Sequence, residues 1–244
     1  MRVKMIVAYD GTNYKGWQVQ PNGITIEEVL NKNLSNLLGE QIVVSGASRT
    51  DSGVHSLGNI AVFDTNTRMP ADKIAFALNQ RLPEDIVVQG SCEVEDGWHP
   101  RYQNSRKTYE YRILNRTFRM PTRRLDTYFY HYPLDVEKMK KAVSYLEGEH
   151  DFKSFCAIGA QVKTTVRTIY ACDVEKEGDI ITIRVTGNGF LYNMVRIIAG
   201  TLVQVGGGAI EPEAVKEILA KKDRSAAGPA HGLTMMGIEF ENVE

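Results

Sequence analysis

Apolar and polar residues follow two kinds of spacing along this chain. Period-two runs are typical of strands, and runs with 3.6-residue spacing are typical of amphipathic helices. In the first half they predict, in chain order, a strand at 2–9, a helix at 25–38, strands at 41–46 and 58–65, a helix at 70–81 and a strand at 86–94. Thr25 and Glu28 form a capping-box pattern that predicts the start of the first helix.

The second half repeats this plan. Its pattern predicts a strand at 108–114, a helix at 135–146, a hairpin of strands 165–174 and 180–186, helices at 190–205 and 211–220, and a strand at 236–241. Three glycines, 206–208, predict the end of the long apolar helix. Each half therefore approximates β-α-β-β-α-β, the ferredoxin-like split unit.

This repeat predicts an α+β fold of two ferredoxin-like halves joined into one largely antiparallel sheet, with helices on one face. The predicted subdomains are residues 1–100, which include Asp51, and 101–244, which include Tyr109 and Arg196. An open antiparallel face with basic strands and loops favours a central RNA-binding cleft.

Composition narrows the class of protein. The chain has 244 residues, 43% apolar and 24% charged, which is ordinary for a globular protein. No run approaches the ~20 apolar residues of a membrane-spanning helix, and the N-terminus begins directly with a strand pattern, so we expect a cytoplasmic protein. Three widely spaced cysteines, without a CxxC pair, predict reduced, buried thiols and no zinc site.

Charge is balanced overall but concentrated locally. The net charge is −1, yet residues 101–124 hold eight arginines and lysines and only one acidic residue, Glu110. Such a concentration favours a face that binds a polyanion. The alternative is a solvated face whose counter-charges lie elsewhere in the sequence.

The segment Ser48–His55 is the first candidate for chemistry, because a polar loop held between two apolar runs presents side chains from a rigid base. Asp51 is its carboxylate. Ser52 and His55 lie too close in sequence to form a hydrolase triad with it, and we interpret them as loop structure. Gly53 is expected at positive φ. A lone aspartate in a turn can also be only a cap.

Other catalytic patterns are missing from the sequence. The remaining histidines lack metal-ligand spacing, and the glycines at 206–208 lack the lysine of a phosphate loop, so we expect neither a metal nor a nucleotide cofactor. Residues 9–18 contain Tyr14 and Trp17, which we expect to pack over the core.

Five segments in this order resemble the tRNA pseudouridine synthase A family. They are Tyr9-Asp10-Gly11-Thr12 with Tyr14-x-Gly16-Trp17-Gln18, Arg49-Thr50-Asp51-x-Gly53-Val54-His55, Trp98-His99-Pro100-Arg101, Lys107-Thr108-Tyr109-x-Tyr111-Arg112-Ile113, and 190–202 from Phe190-Leu191-Tyr192-Asn193 to Gly200-Thr201-Leu202. Lys222-Asp223-Arg224 and Gly232-Leu233 also fit. Together they span nearly the whole chain.

The resemblance implies isomerisation of uridine to pseudouridine in tRNA, without a cofactor. It also implies targets at tRNA positions 38, 39 and 40, in the anticodon stem-loop, and a homodimer in which one tRNA contacts both subunits. Ser48, Ser56 and Trp98 depart from the family's usual residues. These departures leave the choice of target uridines open.

The resemblance assigns a role to each candidate residue. Asp51 becomes the catalytic carboxylate, which either attacks the sugar or abstracts a ribose proton. Arg49 helps to hold the flipped base out of its stack. Tyr109 stacks on the target base, although a cross-strand packing role is the alternative. Arg196 becomes the ion-pair partner of Asp51, and a guanidinium that reaches solvent along the helix is the alternative.

The basic run would then bind phosphates, with Arg101, Arg106, Lys107 and Arg112 as the candidates. Two other functions use the same features. A non-catalytic RNA-binding protein would not need the set Arg49, Asp51, Tyr109 and Arg196. A ferredoxin-like enzyme that acts on a small anion would leave the basic run unexplained.

Overall fold

The computed structural model describes residues 1–159, 162–221 and 226–241. These residues form two compact units. Unit 1 contains Met1–Asn104 and the segment from Met235, and unit 2 contains Ser105–Thr234. The limits predicted from the sequence, 1–100 and 101–244, place the last strand with the second half, and this division stays a prediction.

Unit 1 follows the predicted β-α-β-β-α-β order. Its elements are β1 (Arg2–Tyr9), α1 (Ile26–Leu38), β2 (Ser45–Gly46), β3 (His55–Asp64), α2 (Ala71–Asn79) and β4 (Ile86–Val94). The strand order is β4-β1-β3, and β2 pairs with β3. All of these pairings are antiparallel. This is the arrangement expected of a ferredoxin-like unit.

The core of unit 1 lies on one face of its sheet. Val3, Met5 and Val7 alternate inward along β1 and pack in one cluster with residues of both helices, including Leu30 and Leu78. Tyr14 and Trp17 are also buried there, which confirms that they pack over the core. Thr25 caps α1 by accepting a hydrogen bond from the N–H of Glu28, as the capping-box pattern predicts.

The predicted strand at 41–46 is wrong over most of its length, because only Ser45–Gly46 is a strand. Ile42 and Val44 are buried as predicted. Their N–H groups, however, donate to side chains of α1: Ile42 to Ser35 Oγ at 2.9 Å and Val44 to Asn31 Oδ1 at 2.8 Å. Polar side chains of the helix therefore replace a strand partner.

Unit 2 contains most of the second half. Its elements are β5 (Ser105–Asn115), β6 (Tyr128–Tyr130), α3 (Val136–Val143), β7 (Gly148–Asp151), β8 (Val166–Glu177), β9 (Ile180–Gly187), α4 (Met194–Gly206) and α5 (Ala214–Lys221). The strand order is β5-β9-β8-β7, antiparallel throughout, and β6 pairs parallel with β5. The sequence pattern did not predict β6 or β7.

The last strand, β10 (Leu233–Phe240), begins in unit 2 and continues beside β3 in unit 1. The α+β class and the largely antiparallel strands are thus confirmed. The central RNA-binding cleft stays a prediction. In the described ranges, no helix is long and apolar enough to cross a membrane.

The helix predicted at 190–205 begins four residues late, at Met194. Asn193 has a left-handed backbone, with φ of 59°, and the preceding residues form a turn in which Met194 N–H donates to the Leu191 carbonyl at 3.0 Å. The helix ends at the predicted glycines, where Gly208 has φ of +75°. Cys156 and Cys172 are buried as predicted, but Cys92 is exposed.

Candidate active site

Asp51 lies half-buried in the loop that joins β2 to β3. The residues before it are fixed by three hydrogen bonds. The hydroxyls of Tyr9 and Thr50 are 2.7 Å apart, the Thr50 carbonyl accepts from Trp17 N–H at 3.1 Å, and the Ser48 carbonyl accepts from Asn59 Nδ2 at 2.9 Å. Tyr9, Trp17 and Asn59 are themselves buried, so this side of the loop rests on the core.

The residues after Asp51 are fixed as well. Gly53 has φ of +79°, which confirms the predicted positive φ. Its N–H donates to the Tyr14 carbonyl at 3.3 Å, and the Ser52 hydroxyl donates to the same oxygen at 3.2 Å. The N–H of Val54 closes the turn by donating to the Asp51 carbonyl at 3.1 Å. The backbone of Asp51 is therefore braced on both sides.

Glycines of residues 9–18 make this bracing possible. A Cβ on Gly16 would lie 2.5 Å from the Thr50 carbonyl oxygen, and a Cβ on Gly11 would overlap the Val54 carbonyl oxygen. Gly16 also has φ of +84°. Because both clashes involve backbone atoms, the segment can approach the Asp51 loop this closely only with glycine at these positions.

His55 serves the loop, as predicted from the sequence. Its Nδ1 accepts from Gly11 N–H at 3.1 Å and lies 3.0 Å from the Asp10 carboxylate. Burial tends to raise the pKa of Asp10, but hydrogen bonds from Thr12 and the nearby His55 outweigh it, so that this pKa is below its usual value. Ser52 and His55 thus each have a loop-ordering hydrogen bond.

Arg49 and Arg101 form a cationic region in unit 1. Arg101 Nε donates to the Gly46 carbonyl at 2.8 Å, at the end of β2. Burial and the nearby charge of Arg49 lower the pKa of Arg101. Both guanidinium groups therefore lie near the base of the Asp51 loop, where they can bind an anion.

Tyr109 lies on β5 in unit 2 and is 6% exposed. Its ring meets the edge of Phe190 at 5.1 Å and 80°. Tyr111, two residues on, is 0% exposed, and its hydroxyl donates to the Pro229 carbonyl at 2.9 Å. Gly228 and Gly232 pack against the Tyr111 ring, because a Cβ on Gly228 would lie 2.9 Å from its Cζ and a Cβ on Gly232 would lie 2.8 Å from the same atom. Tyr111 is therefore a buried residue of the core of unit 2.

Arg196 lies half-buried on the first turn of α4. Nε donates to the Gly228 carbonyl at 2.8 Å, and Nη1 donates to Asn193 Oδ1 at 2.7 Å. Burial and the neighbouring Tyr128 raise the pKa of Tyr111, and the charge of Arg196 opposes this rise. The guanidinium is thus held in one orientation by the left-handed residue before the helix and by the 228 carbonyl.

The basic run contains several ion pairs. Glu110 is 4% exposed and pairs with Arg112 at 2.9 Å and with Arg184 at 2.6 Å. Burial tends to raise the pKa of Glu110, but hydrogen bonds from both arginines outweigh it, so this pKa is below its usual value. Other contacts of the run include Arg116 with Asp179, Arg123 with Asp126, Arg106 over the Tyr170 ring and Arg119 over the Phe129 ring. Part of this charge is therefore neutralised by acidic residues, the alternative noted above.

The structure places Asp51, Arg49 and Arg101 in unit 1, and Tyr109, Arg196, Arg106, Lys107 and Arg112 in unit 2. Sequence reasoning missed the residues that fix these side chains. Tyr9, Thr50 and Asn59 brace the Asp51 loop, and Asn193 and Gly228 hold Arg196. The only available signal was their place within or beside the quoted motifs. Lys222-Asp223-Arg224 lie outside the described residues.

Among the described residues, no group of three or more His, Cys, Asp or Glu side chains could hold a metal ion.

Comparison with known proteins gives one consistent family. A profile described as tRNA pseudouridine synthase matches residues 5–103 and 142–241. The chain is 52% identical over 241 residues to the tRNA pseudouridine synthase A of Thermoanaerobacter sp. (strain X514), covering 98% of this chain and 99% of that protein. It is 46% identical over 243 residues to that of Ruminiclostridium cellulolyticum, with the same coverage. Tyr109 and the basic run, apart from Arg101, lie between the two segments that the profile matches.

Proposed function

Since the chain belongs to the tRNA pseudouridine synthase family and is an isomerase that forms pseudouridine in tRNA, we propose that Asp51 is its catalytic carboxylate. The observation that carries this proposal is the bracing of the Asp51 loop. Three hydrogen bonds from buried side chains and backbone hold residues 48–50, and the Tyr14 carbonyl holds residues 52 and 53. A catalytic group needs such a rigid base.

The reaction breaks the bond between the uracil N1 and C1′ of the ribose and forms a new bond from C5 to C1′. The base first leaves its stack, which costs a few kcal/mol. The Asp51 carboxylate then either attacks C1′ and is displaced when C5 bonds to C1′, or removes the proton from C2′ and returns it after that bond forms; both routes use one ionised carboxylate. The proton on C5 is then lost to solvent and N1 takes up a proton, so the product is an isomer of the substrate. Arg49, two residues from Asp51, holds the flipped base out of the helix.

Arg196 keeps the Asp51 carboxylate ionised by pairing with it, because an opposite charge within about 4–6 Å favours the charged form of a carboxyl group. Its fixed orientation supports this role. The Gly228 carbonyl accepts from its Nε and Asn193 Oδ1 accepts from its Nη1, so the guanidinium is preorganised.

Tyr109 stacks on the target uracil. The packing of Tyr111 supports the choice between these two tyrosines, since the Tyr111 hydroxyl is bonded to Pro229 and its ring packs against glycines. The ring of Tyr109, by contrast, packs edge-on against Phe190. An aromatic face of this kind suits a base that has left its stack.

The substrate is the anticodon stem-loop, with targets at tRNA positions 38, 39 and 40. Arg101, Arg106, Lys107 and Arg112 bind its phosphates, Arg112 with the smallest share because Glu110 already pairs with it. The enzyme works in the cytoplasm as a homodimer. Single-nucleotide mapping of pseudouridine in tRNA treated with the purified protein tests the target sites, and modification confined to other positions would contradict them. Sedimentation equilibrium tests the dimer, and a single-chain mass would exclude it.

Asp51→Ala tests the catalytic assignment. Pseudouridine formation should fall by at least about a thousandfold, equivalent to about 4 kcal/mol of transition-state stabilisation, while tRNA binding stays within about tenfold of the parent. Asp72→Ala is the control, because Asp72 is exposed on α2 and pairs with the exposed Lys73. Activity of purified Asp51→Ala close to that of Asp72→Ala would refute the assignment.

A further inference from the structure

A short turn after β4 presents two stacked rings. The rings of His99 and Tyr102 are 4.6 Å apart with an angle of 29°. Two hydrogen bonds hold the turn: Tyr102 N–H donates to the His99 carbonyl at 3.0 Å, and Arg101 N–H donates to His99 Nδ1 at 3.2 Å. Tyr102 is 83% exposed. Its ring thus has one face on His99 and most of its remaining surface open to solvent.

The base of this turn is fixed to the sheet of unit 1. Trp98 packs edge-on against Phe240 at 5.2 Å, and Lys4 lies over its ring at 5.8 Å. The Trp98 carbonyl accepts a hydrogen bond of 2.6 Å from Arg2 Nε. Because both the base and the turn are held, the Tyr102 ring is preorganised, and a ligand that stacks on it loses little free energy to ordering the protein.

Charge at this turn favours an anionic partner. Burial and the charges of Arg101 and Arg2 lower the pKa of His99. Arg49 is close enough to Arg101 to lower the pKa of that guanidinium as well. The carboxylate of Glu27 acts on Arg101 in the opposite sense, but its effect is smaller than that of Arg49. Guanidinium groups bind phosphate through paired hydrogen bonds.

We propose that the exposed face of Tyr102, supported by His99, stacks on an unpaired base of the RNA substrate, and that Arg101, with the positive charge of Arg49 nearby, binds a phosphate next to that base. An aromatic face beside a cationic backbone site is how proteins bind unpaired nucleotides. A second copy of the chain would also cover an exposed ring, but it would not explain the adjacent arginines. The inference rests on the proposed function, because the bound RNA is the substrate of Asp51.

The test measures binding of a tRNA anticodon stem-loop to four forms of the full-length chain. Tyr102→Ala should weaken binding about 5- to 150-fold, the usual effect of removing a base-stacking ring. Tyr102→Phe keeps the ring and should bind within about twofold of the parent. Phe76→Ala is the matched control, because Phe76 is an exposed aromatic of the same unit, 71% exposed beside Lys73, and should bind as the parent does.

Abasic scanning of the stem-loop identifies the stacked base. At one unpaired position, base removal should weaken binding to the parent and to Tyr102→Phe, but it should have no further effect on Tyr102→Ala, as expected for two groups in contact. Equal losses in Tyr102→Ala and Phe76→Ala would overturn the inference. The inference would also be overturned if the loss from base removal and the loss from Tyr102→Ala were additive at every abasic position. A change of oligomeric state in Tyr102→Ala, with RNA affinity unchanged, would assign the ring to a subunit contact instead.

These outcomes are separable from those that test Asp51. If Asp51→Ala still forms pseudouridine, the proposed function fails whatever Tyr102 does. If Asp51→Ala is inactive and Tyr102→Ala binds the stem-loop like the parent, the Tyr102 inference alone fails.

Discussion

Gly16 and Gly97 form a matched pair that tests how tightly the Asp51 loop is held. Both have left-handed backbones, with φ of +84° and +80°. A Cβ on Gly97 would meet no atom within 4 Å, but a Cβ on Gly16 would lie 2.5 Å from the Thr50 carbonyl oxygen and 3.2 Å from the Asp51 carbonyl carbon. Alanine at the two positions therefore differs mainly in its contact with the catalytic loop.

The expected magnitudes follow from this geometry. Positive φ costs alanine about 1–2 kcal/mol relative to glycine, and Gly97→Ala should lose only this amount. Gly16→Ala should lose about 1–3 kcal/mol more, because backbone atoms must move or the new methyl group must be accommodated by strain. The carbonyl has to move by roughly 1 Å to restore an ordinary contact, and a displacement of that size at a catalytic group costs about a hundredfold in rate.

The assay compares single-turnover pseudouridine formation at saturating tRNA with stability from urea unfolding. Gly97→Ala should be destabilised but catalyse at the parental rate. Gly16→Ala should be slower by about a hundredfold at temperatures where it remains folded, with tRNA binding largely kept. Equal rates for the two folded variants would show that contact between Gly16 and Thr50 does not set the position of Asp51.

Three further predictions concern the residues that support the site. Tyr9→Phe and Thr50→Val should each lower the free energy of unfolding by about 1–3 kcal/mol, because each leaves the other buried hydroxyl without its partner. In urea unfolding, the double variant should lose less than the sum of the two single losses; additive losses would contradict the hydrogen bond. Glu110→Gln should cost about 1–3 kcal/mol at pH 7. The folded pKa of Glu110 lies below its ordinary value of 4.5, so the stability that its charge contributes is complete above that pH and is lost as pH falls through the folded pKa. The free energies of unfolding of parent and variant should therefore converge in acid; a constant difference would refute this. Gly228→Ala should slow catalysis while tRNA binding is kept. Its methyl group would lie 2.5 Å from the Tyr111 hydroxyl, and relieving this clash would shift the 228 carbonyl that holds Arg196. An unchanged rate would argue against a role of this carbonyl in positioning Arg196.

Most helices and strands could be predicted because each buries one face. Period-two alternation identified β1, β5 and β9, and the 3.6-residue spacing identified α1 and α3. The pattern at 41–44 also identified buried residues correctly, yet it could not distinguish a strand partner from the side chains of Ser35 and Asn31. The apolar pattern of a sequence reflects which side chains are buried. The partner of each backbone N–H group is decided by the tertiary fold, which this pattern does not encode.

The start of α4 shows a second limit. Residues 190–193 continue the apolar pattern, but Asn193 has a left-handed backbone and its side chain binds Arg196. A helix at Asn193 would carry its Oδ1 away from that guanidinium. The left-handed residue and its hydrogen bond to Arg196 override the local helical pattern here, and sequence patterns are expected to fail at such positions.

The candidate residues came from ordered motifs, and the residues that fix them did not. Arg49, Asp51, Tyr109 and Arg196 belong to quoted segments. The hydrogen bond between Tyr9 and Thr50 joins positions 41 residues apart, and no local pattern could predict it. Glu110 likewise pairs with Arg184, 74 residues away, and the pattern of the basic run could not predict that partner.

Restoring the modification in cells tests the central claim most directly. Cells that lack this protein would receive either the parent chain or Asp51→Ala at matched levels, and pseudouridine in their tRNA would be mapped at single-nucleotide resolution. The parent should restore pseudouridine at positions 38, 39 and 40, and Asp51→Ala should restore none of it. Restoration by Asp51→Ala would contradict the assignment of the reaction to this carboxylate.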